Sequence, residues 1–201
     1  MRFNHQFKEV SCDGFSRNLH VVTTELVVGT FALAGLCFGL KLLYSFKMLS
    51  NDKANDALDS IAHGALLFGL LSLPFAILSG INSAGVNDGG FMSAILVNKL
   101  WLSFAGFGLA IGVLVSRWKV GSSIWNESKS SLIQSSFGMA ACGAILLTAS
   151  AGGRFARGES LLDMLHLPYD LILLMPIWLS VLLLISGLTN LVIGIRANSS
   201  Q

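Results

Sequence analysis

Apolar residues along the chain fall into five runs, Val21–Phe46, Ala57–Gly80, Val97–Trp118, Ser131–Ala151 and Leu171–Ile195, separated by polar, turn-rich links. Each run reaches the about 20 residues a helix needs to cross the hydrocarbon of a bilayer. With no water there to satisfy backbone N–H and C=O groups, an apolar stretch of this length closes its hydrogen bonds internally as a helix. The pattern predicts an all-α integral membrane bundle of five transmembrane helices. Residues 1–20 form a polar N-terminal arm, 21–195 the helical domain and 196–201 a short polar tail. The links carry Asn51-Asp52, Asn87-Asp88-Gly89-Gly90 and Gly152-Gly153, and none is long enough to hold a second domain.

Composition agrees. The chain is 53% hydrophobic and 12% charged, with a mean hydropathy of +0.70, where a water-soluble globule carries about a quarter charged residues. The expected location is the cell membrane, multi-pass, with the lipid bilayer and other membrane protein subunits as partners. A net charge of +2, scattered with no basic stripe, gives no reason to expect a nucleic-acid partner. Cys12, Cys37 and Cys142 show no CxxC spacing, and the last two fall inside apolar runs, where cysteine packs as a small hydrophobe. Arg2, Lys8, Glu9, Asp13 and Arg17 precede an apolar run too long for a signal peptide, so no cleaved signal is expected.

Each run carries small residues at helical spacing, the device by which membrane helices approach closely when lipid offers no hydrophobic drive to association. Gly29, Ala32 and Gly39 share a face of the first helix; Ala65, Gly69, Ser72, Ala76 and Gly80 share one in the second, where Pro74 is expected to introduce a kink. The third helix offers Ala105, Gly108 and Gly112, the fourth Ala141, Thr148 and Gly152, and the fifth Ser180, Gly187 and Gly194. These faces are read as inward, with Gly108, Gly112, Gly152 and Gly153 as packing positions. Lysine and arginine near the helix ends place the first and third links in the cytoplasm and the Gly152-Gly153 stretch outside.

Candidate chemistry gathers where the fourth run ends. Gly152-Gly153 is read as a helix C-cap, after which Arg154, Arg157, Glu159, Asp163 and His166 follow. Alternating helices bring this stretch to the membrane side on which His20 opens the first helix. Asp163 and His166, three apart, suit a metal site or an oriented base. Glu25 lies one turn inside the first helix, where a charge is costly. Its placement with Gly29 and Ala32 predicts an inward carboxylate, either a metal ligand, a proton-relay group or an ion-pair partner of Arg154 or Arg157. His63, with Asp59 four residues before it, belongs to the opposite membrane surface and is expected to meet lipid headgroups or a neighbouring subunit. Asn98 and Asn190 are read as interhelical hydrogen-bonding residues.

Residues His20 to Glu159 resemble an uncharacterised family of small four-helix prokaryotic membrane proteins. In that family the first helix opens with His-Pro-x-x-x-His-Phe-Pro and the fourth ends in Gly-Gly. Here His20-Val-Val-Thr-Thr-Glu25 stands for the opening, with Val21 for the proline and Glu25 for the second histidine. Ser79-Gly80, Asn98 to Arg117 and Gly152-Gly153-Arg154-Phe155 stand for the later helices, and the chain is a divergent member of the pattern. The resemblance implies that, if the family's histidines hold haem or metal, only His20 of that set is kept. No cofactor is therefore expected, with haem b or a metal ion at His20 and His166, or at Glu25 and Asp163, as the alternative. The expected function is an accessory or structural subunit of a multi-subunit membrane-bound oxidoreductase, not an enzyme by itself. The rivals are a small redox carrier using His20 and His166, and a proton or solute conduit using Glu25.

Overall fold

A computed structural model of the chain describes residues 3–49, 52–83, 94–157 and 177–197. Five α-helices account for nearly all of them: α1 Phe3–Ser45, α2 Asp52–Ser83, α3 Ala94–Val120, α4 Ser128–Arg157 and α5 Ile177–Ala197, with a 3-10 helix Gly121–Trp125 between α3 and α4. No strand occurs among the described residues. The stretches Asn18–Ser45, Lys53–Gly80, Lys99–Trp125 and Ser128–Gly153 are long and apolar enough to cross a membrane, so by composition the chain is a multi-pass membrane protein.

Two boundaries differ from those expected. The polar arm is helical from Phe3 onward and continuous with the first span, giving α1 43 residues. At a rise of about 1.5 Å per residue that is roughly 65 Å, about twice the hydrocarbon thickness, so the polar residues extend the helix beyond the apolar stretch. The fourth helix does not stop at the double glycine. Helix α4 continues through Gly152 and Gly153 to Arg157, and the one positive-φ glycine among the described residues is Gly121, at 72°. Gly121 takes the left-handed conformation that lets the chain leave α3 and turn into the 3-10 helix; Gly152 and Gly153 serve no such cap.

Helix α1 packs against α2 and α4, α3 against α4 and α5, and a lighter contact between α2 and α3 closes the four-helix core; among the described residues α5 packs against α3 alone. Val27, Phe31, Ala34 and Phe38 on α1 meet Leu66 and Leu73 on α2, Leu109 and Val113 on α3, and Ala141, Cys142 and Ile145 on α4. Large side chains enter gaps left by glycine. A Cβ added at Gly69 would stand 2.8 Å from the Phe31 ring, one at Gly138 2.5 Å from Phe38, and one at Gly106 2.7 Å from Ile145. At the α3–α5 contact, a Cβ on Gly187 would come within 2.3 Å of the Gly108 backbone. Ala105, Gly108 and Gly112 are all buried, as are Gly69, Ser72 and Ala76, so the small faces of α2 and α3 do look inward.

On α1 the assignment reverses. Gly29 and Ala32 are exposed, and a Cβ on Gly29 would meet nothing within 4 Å. Close packing needs a large residue opposite each small one. Since α2 and α4 supply the gaps, α1 turns its Val27, Phe31, Ala34, Phe38 stripe inward, and Gly29 and Ala32 face out, while Gly39 is half-buried beside Met139.

Candidate functional site

Polar residues converge where the C-terminal ends of α1 and α3 meet the N-terminal ends of α2 and α4. Asp59 on α2 is 5% exposed. Arg117, near the end of α3, grips it with Nε donating to Oδ1 at 3.2 Å and Oδ2 at 2.9 Å and Nη2 donating to Oδ2 at 2.6 Å. A planar guanidinium is the cation best shaped for this fork. One turn along α2, His63 places Nδ1 2.8 Å from the Asp59 carbonyl and 3.0 Å from Oδ1. Two acceptors at one nitrogen require it to carry the proton. The other ring nitrogen stands 3.1 Å from Gln134 Nε2 on α4, and the same amide nitrogen donates to the Val113 carbonyl at 2.8 Å. The Val113 carbonyl fixes which way the Gln134 amide faces, so Nε2 of His63 accepts and the network assigns the neutral Nδ1–H tautomer. Phe38 and Trp125 close on the imidazole edge-on, with centroids at 5.2 Å and 6.2 Å.

Beside this lies a second cation. Lys41 on α1 is 2% exposed; its ammonium donates to Asn55 Oδ1 at 2.6 Å and to the Asn55 carbonyl at 3.3 Å, and sits 3.7 Å over the Trp125 ring. The Ser45 and Ser131 hydroxyls bond to each other between α1 and α4. The Trp125 indole N–H is buried short of hydrogen-bonding geometry with any acceptor, though close enough to the Asp59 carboxylate to interact with it. The cluster thus joins α1, α2, α3, the 3-10 helix and α4 at one end of the bundle. Chemically it holds a carboxylate saturated by its own partners and an ammonium bonded only to neutral groups.

This corrects the expectation for His63, which lies among core side chains rather than at lipid headgroups. Asp59 is buried at that depth, and both Arg117 and the imidazole are drawn in to satisfy it. The signal was available in the sequence: Lys41, Asp59 and Arg117 all fall inside predicted spans, as Glu25 does.

At the opposite end His20 Nδ1 stands 3.1 Å from the Ser79 hydroxyl, which is also 3.2 Å from Thr23 Oγ1. The Lys99 ammonium lies near the His20 ring and over Gly152, where an added Cβ would be 2.7 Å from Nζ. Lys99 is a cation that Gly152 admits. Glu25 is exposed, which corrects its inward assignment: it follows the outward small stripe. No described side chain hydrogen-bonds or pairs with it. The side chains of Arg154 and Arg157, and residues Asp163 and His166, lie outside the described residues, so the ion pairs and the His166 or Asp163 ligand sets do too. Among the described residues no three His, Cys, Asp or Glu side chains converge as a metal site. No family profile, curated protein or solved structure proves similar to the chain.

Proposed function

We propose that this chain is a non-catalytic accessory subunit of a multi-subunit oxidoreductase complex in the cell membrane. The observation that supports a subunit role is the outward face of α1, where an exposed carboxylate, Glu25, stands one turn from exposed Gly29 and two turns from exposed Ala32, all within an apolar span. A charge presented to hydrocarbon costs up to roughly 2.5–3.5 kcal/mol on insertion scales, less near the interface. A neighbouring transmembrane helix lying in the Gly29/Ala32 groove, with a Lys, Arg or hydroxyl donor level with Glu25, removes that cost and fills the gap. The oxidoreductase character of the complex rests on the resemblance of His20 to Glu159 to a histidine-bearing four-helix family. The non-catalytic reading is favoured by the Asp59 cluster, whose carboxylate, guanidinium, imidazole and amide are engaged with one another.

The test is purification in mild detergent, followed by cross-linking from a photoreactive residue at position 29. Stoichiometric co-purification with other membrane subunits is expected, lost or weakened in Gly29→Leu while the isolated bundle melts as before. A chain that runs alone in every mild detergent, or one that carries stoichiometric haem with a Soret band, overturns the proposal.

A further inference from the structure

At the rim of the charged end, a half-open cavity of about 190 Å³ is lined by Lys41, Tyr44, Ser45, Leu49, Asn55, Trp125 and Ser131. We infer that this cavity is a binding site for a phosphate group, carried by an anionic phospholipid or free in solution, with Lys41 as its principal ligand.

Charge distribution is the first ground. Lys41 is almost fully buried, and among the described residues no carboxylate pairs with it. Among the described residues the acids that act on it are Asp59 and Asp56. Asp59 is taken up by Arg117 and His63, and Asp56 is exposed. A buried ammonium held only by an amide, a carbonyl and an indole face is under-compensated, and an anion supplied from outside completes it.

Donor geometry is the second. Of the Lys41 contacts, the one to the Asn55 carbonyl is long, 3.3 Å, so that N–H can be exchanged for a stronger acceptor. Tyr44, Ser45 and Ser131 line the same cavity; the Ser45 hydroxyl donates to the Lys41 carbonyl and the Ser45 and Ser131 hydroxyls bond to each other, neutral contacts that a charged phosphate oxygen can displace as the stronger acceptor. The size also suits: a cavity of about 150 Å³ can take up benzene, so this one has room for a phosphate group. Its position is a third ground. Lys47, Lys53, Lys119 and Lys129 flank the same end of the bundle, all but Lys119 exposed, and basic pockets between helices near a membrane surface are where lipid phosphates bind.

The experiment uses the full chain, delipidated in detergent and reconstituted in phosphatidylcholine nanodiscs. Inorganic phosphate is titrated in one arm, and phosphatidic acid or phosphatidylglycerol is added to the discs in the other, with thermal shift and native mass spectrometry as readouts. Saturable binding is expected in at least one arm. Binding in the phosphate arm identifies a free anion, and binding only in the lipid arm identifies a headgroup. Lys41→Met should weaken binding at least 10-fold and Lys41→Arg should retain most of it. Should Lys41→Met fail to fold, Tyr44→Phe and Ser45→Ala carry the test, each expected to weaken binding at least threefold. The inference is overturned by no saturable binding in either arm, by Lys41→Met binding within twofold of wild type, or by unchanged affinity in both hydroxyl variants.

Discussion

The two ends of the bundle solve the same problem differently. Where α1 and α3 finish, an acid, an arginine, an imidazole and a glutamine from three helices are joined through bonds of 2.6 to 3.2 Å, and beside them Lys41 on α1 bonds to Asn55. At the opposite end of the core, His20 and Thr23 of α1 bond to one serine hydroxyl of α2, and Lys99 lies along α4 over Gly152. Between them stands an apolar core of Phe31, Phe38, Leu66, Leu109 and Ile145. Charge is accommodated inside a helix bundle when complementary groups sit at one depth on different helices. Where neutral hydroxyl and imidazole groups make the contact, it is weaker and more replaceable.

The largest effect should come from breaking the charged end at its hub. Asp59→Asn leaves Arg117 without its counter-charge, and removing one member of a buried pair costs about 3–5 kcal/mol. Because the Arg117 side chain is 28% exposed, about 3 kcal/mol is expected, read as a lowered unfolding midpoint in detergent. The double variant Asp59→Asn, Arg117→Met should recover at least half of the loss; a simple sum of the two single effects would show that the fork contributes no coupling.

A smaller effect belongs to Gln134. Its amide bridges His63 and the Val113 carbonyl, and Gln134→Leu removes the donor from a buried imidazole nitrogen. Since the Val113 carbonyl lies within α3 and keeps its place in the helix, the loss falls mainly on His63, at about 1–2 kcal/mol for one unsatisfied group. The Asp59 acceptors still hold the proton on Nδ1, so the change expected is a shifted 15N signal of the His63 Nε2, which loses its donor. An unaltered signal would remove Gln134 from the network.

At the His20 end, Ser79→Ala deletes the hydroxyl shared by His20 and Thr23. Both are half-buried near the membrane surface, and Thr23 keeps its bonds to the Leu19 and His20 carbonyls. The expected cost is therefore about 0.5–1 kcal/mol, in the ordinary range for one neutral hydrogen bond. A loss equal to that of Asp59→Asn would erase the distinction between the two ends.

Much of the fold is legible in the sequence, because span length and apolar runs follow from backbone satisfaction in hydrocarbon and need no knowledge of partners. The inward faces of α2 and α3 are legible for the same reason that α1 is not. A small stripe marks close approach, yet which partner supplies the large residues is a property of the pair; Phe31 and Phe38 entering over Gly69 and Gly138 decide the rotation of α1. The candidate site divides likewise. Glu25 draws attention as a charge inside a span, and the same test applied to Lys41, Asp59 and Arg117 points to the cluster. The pairing of Asp59 with Arg117, 58 positions apart, comes from α2 and α3 meeting in space. The double glycine misleads because a glycine pair reads as a helix end, whereas here one of the two gives passage to a lysine side chain.

That last point gives the smallest and most discriminating prediction. If Gly152 were a packing position like Gly187, where an added Cβ would sit 2.3 Å from backbone, alanine there would cost about 1–3 kcal/mol through overpacking. The atoms facing Gly152 are instead Nζ, Cε and Cδ of Lys99, at 2.7, 3.3 and 3.8 Å from the added carbon. These are the far end of a flexible side chain with several rotatable bonds, so Lys99 shifts and the helices stay in place. Gly152 also lies inside a continuous helix, where alanine gains about 0.5–1 kcal/mol over glycine by restricting the unfolded chain. The two effects oppose, and Gly152→Ala should change stability by no more than about 0.5 kcal/mol in either direction, measured by the same detergent unfolding used for Asp59→Asn. A loss above about 1 kcal/mol would mean that the Lys99 ammonium is fixed where it lies, and that this end is also organised around a charge.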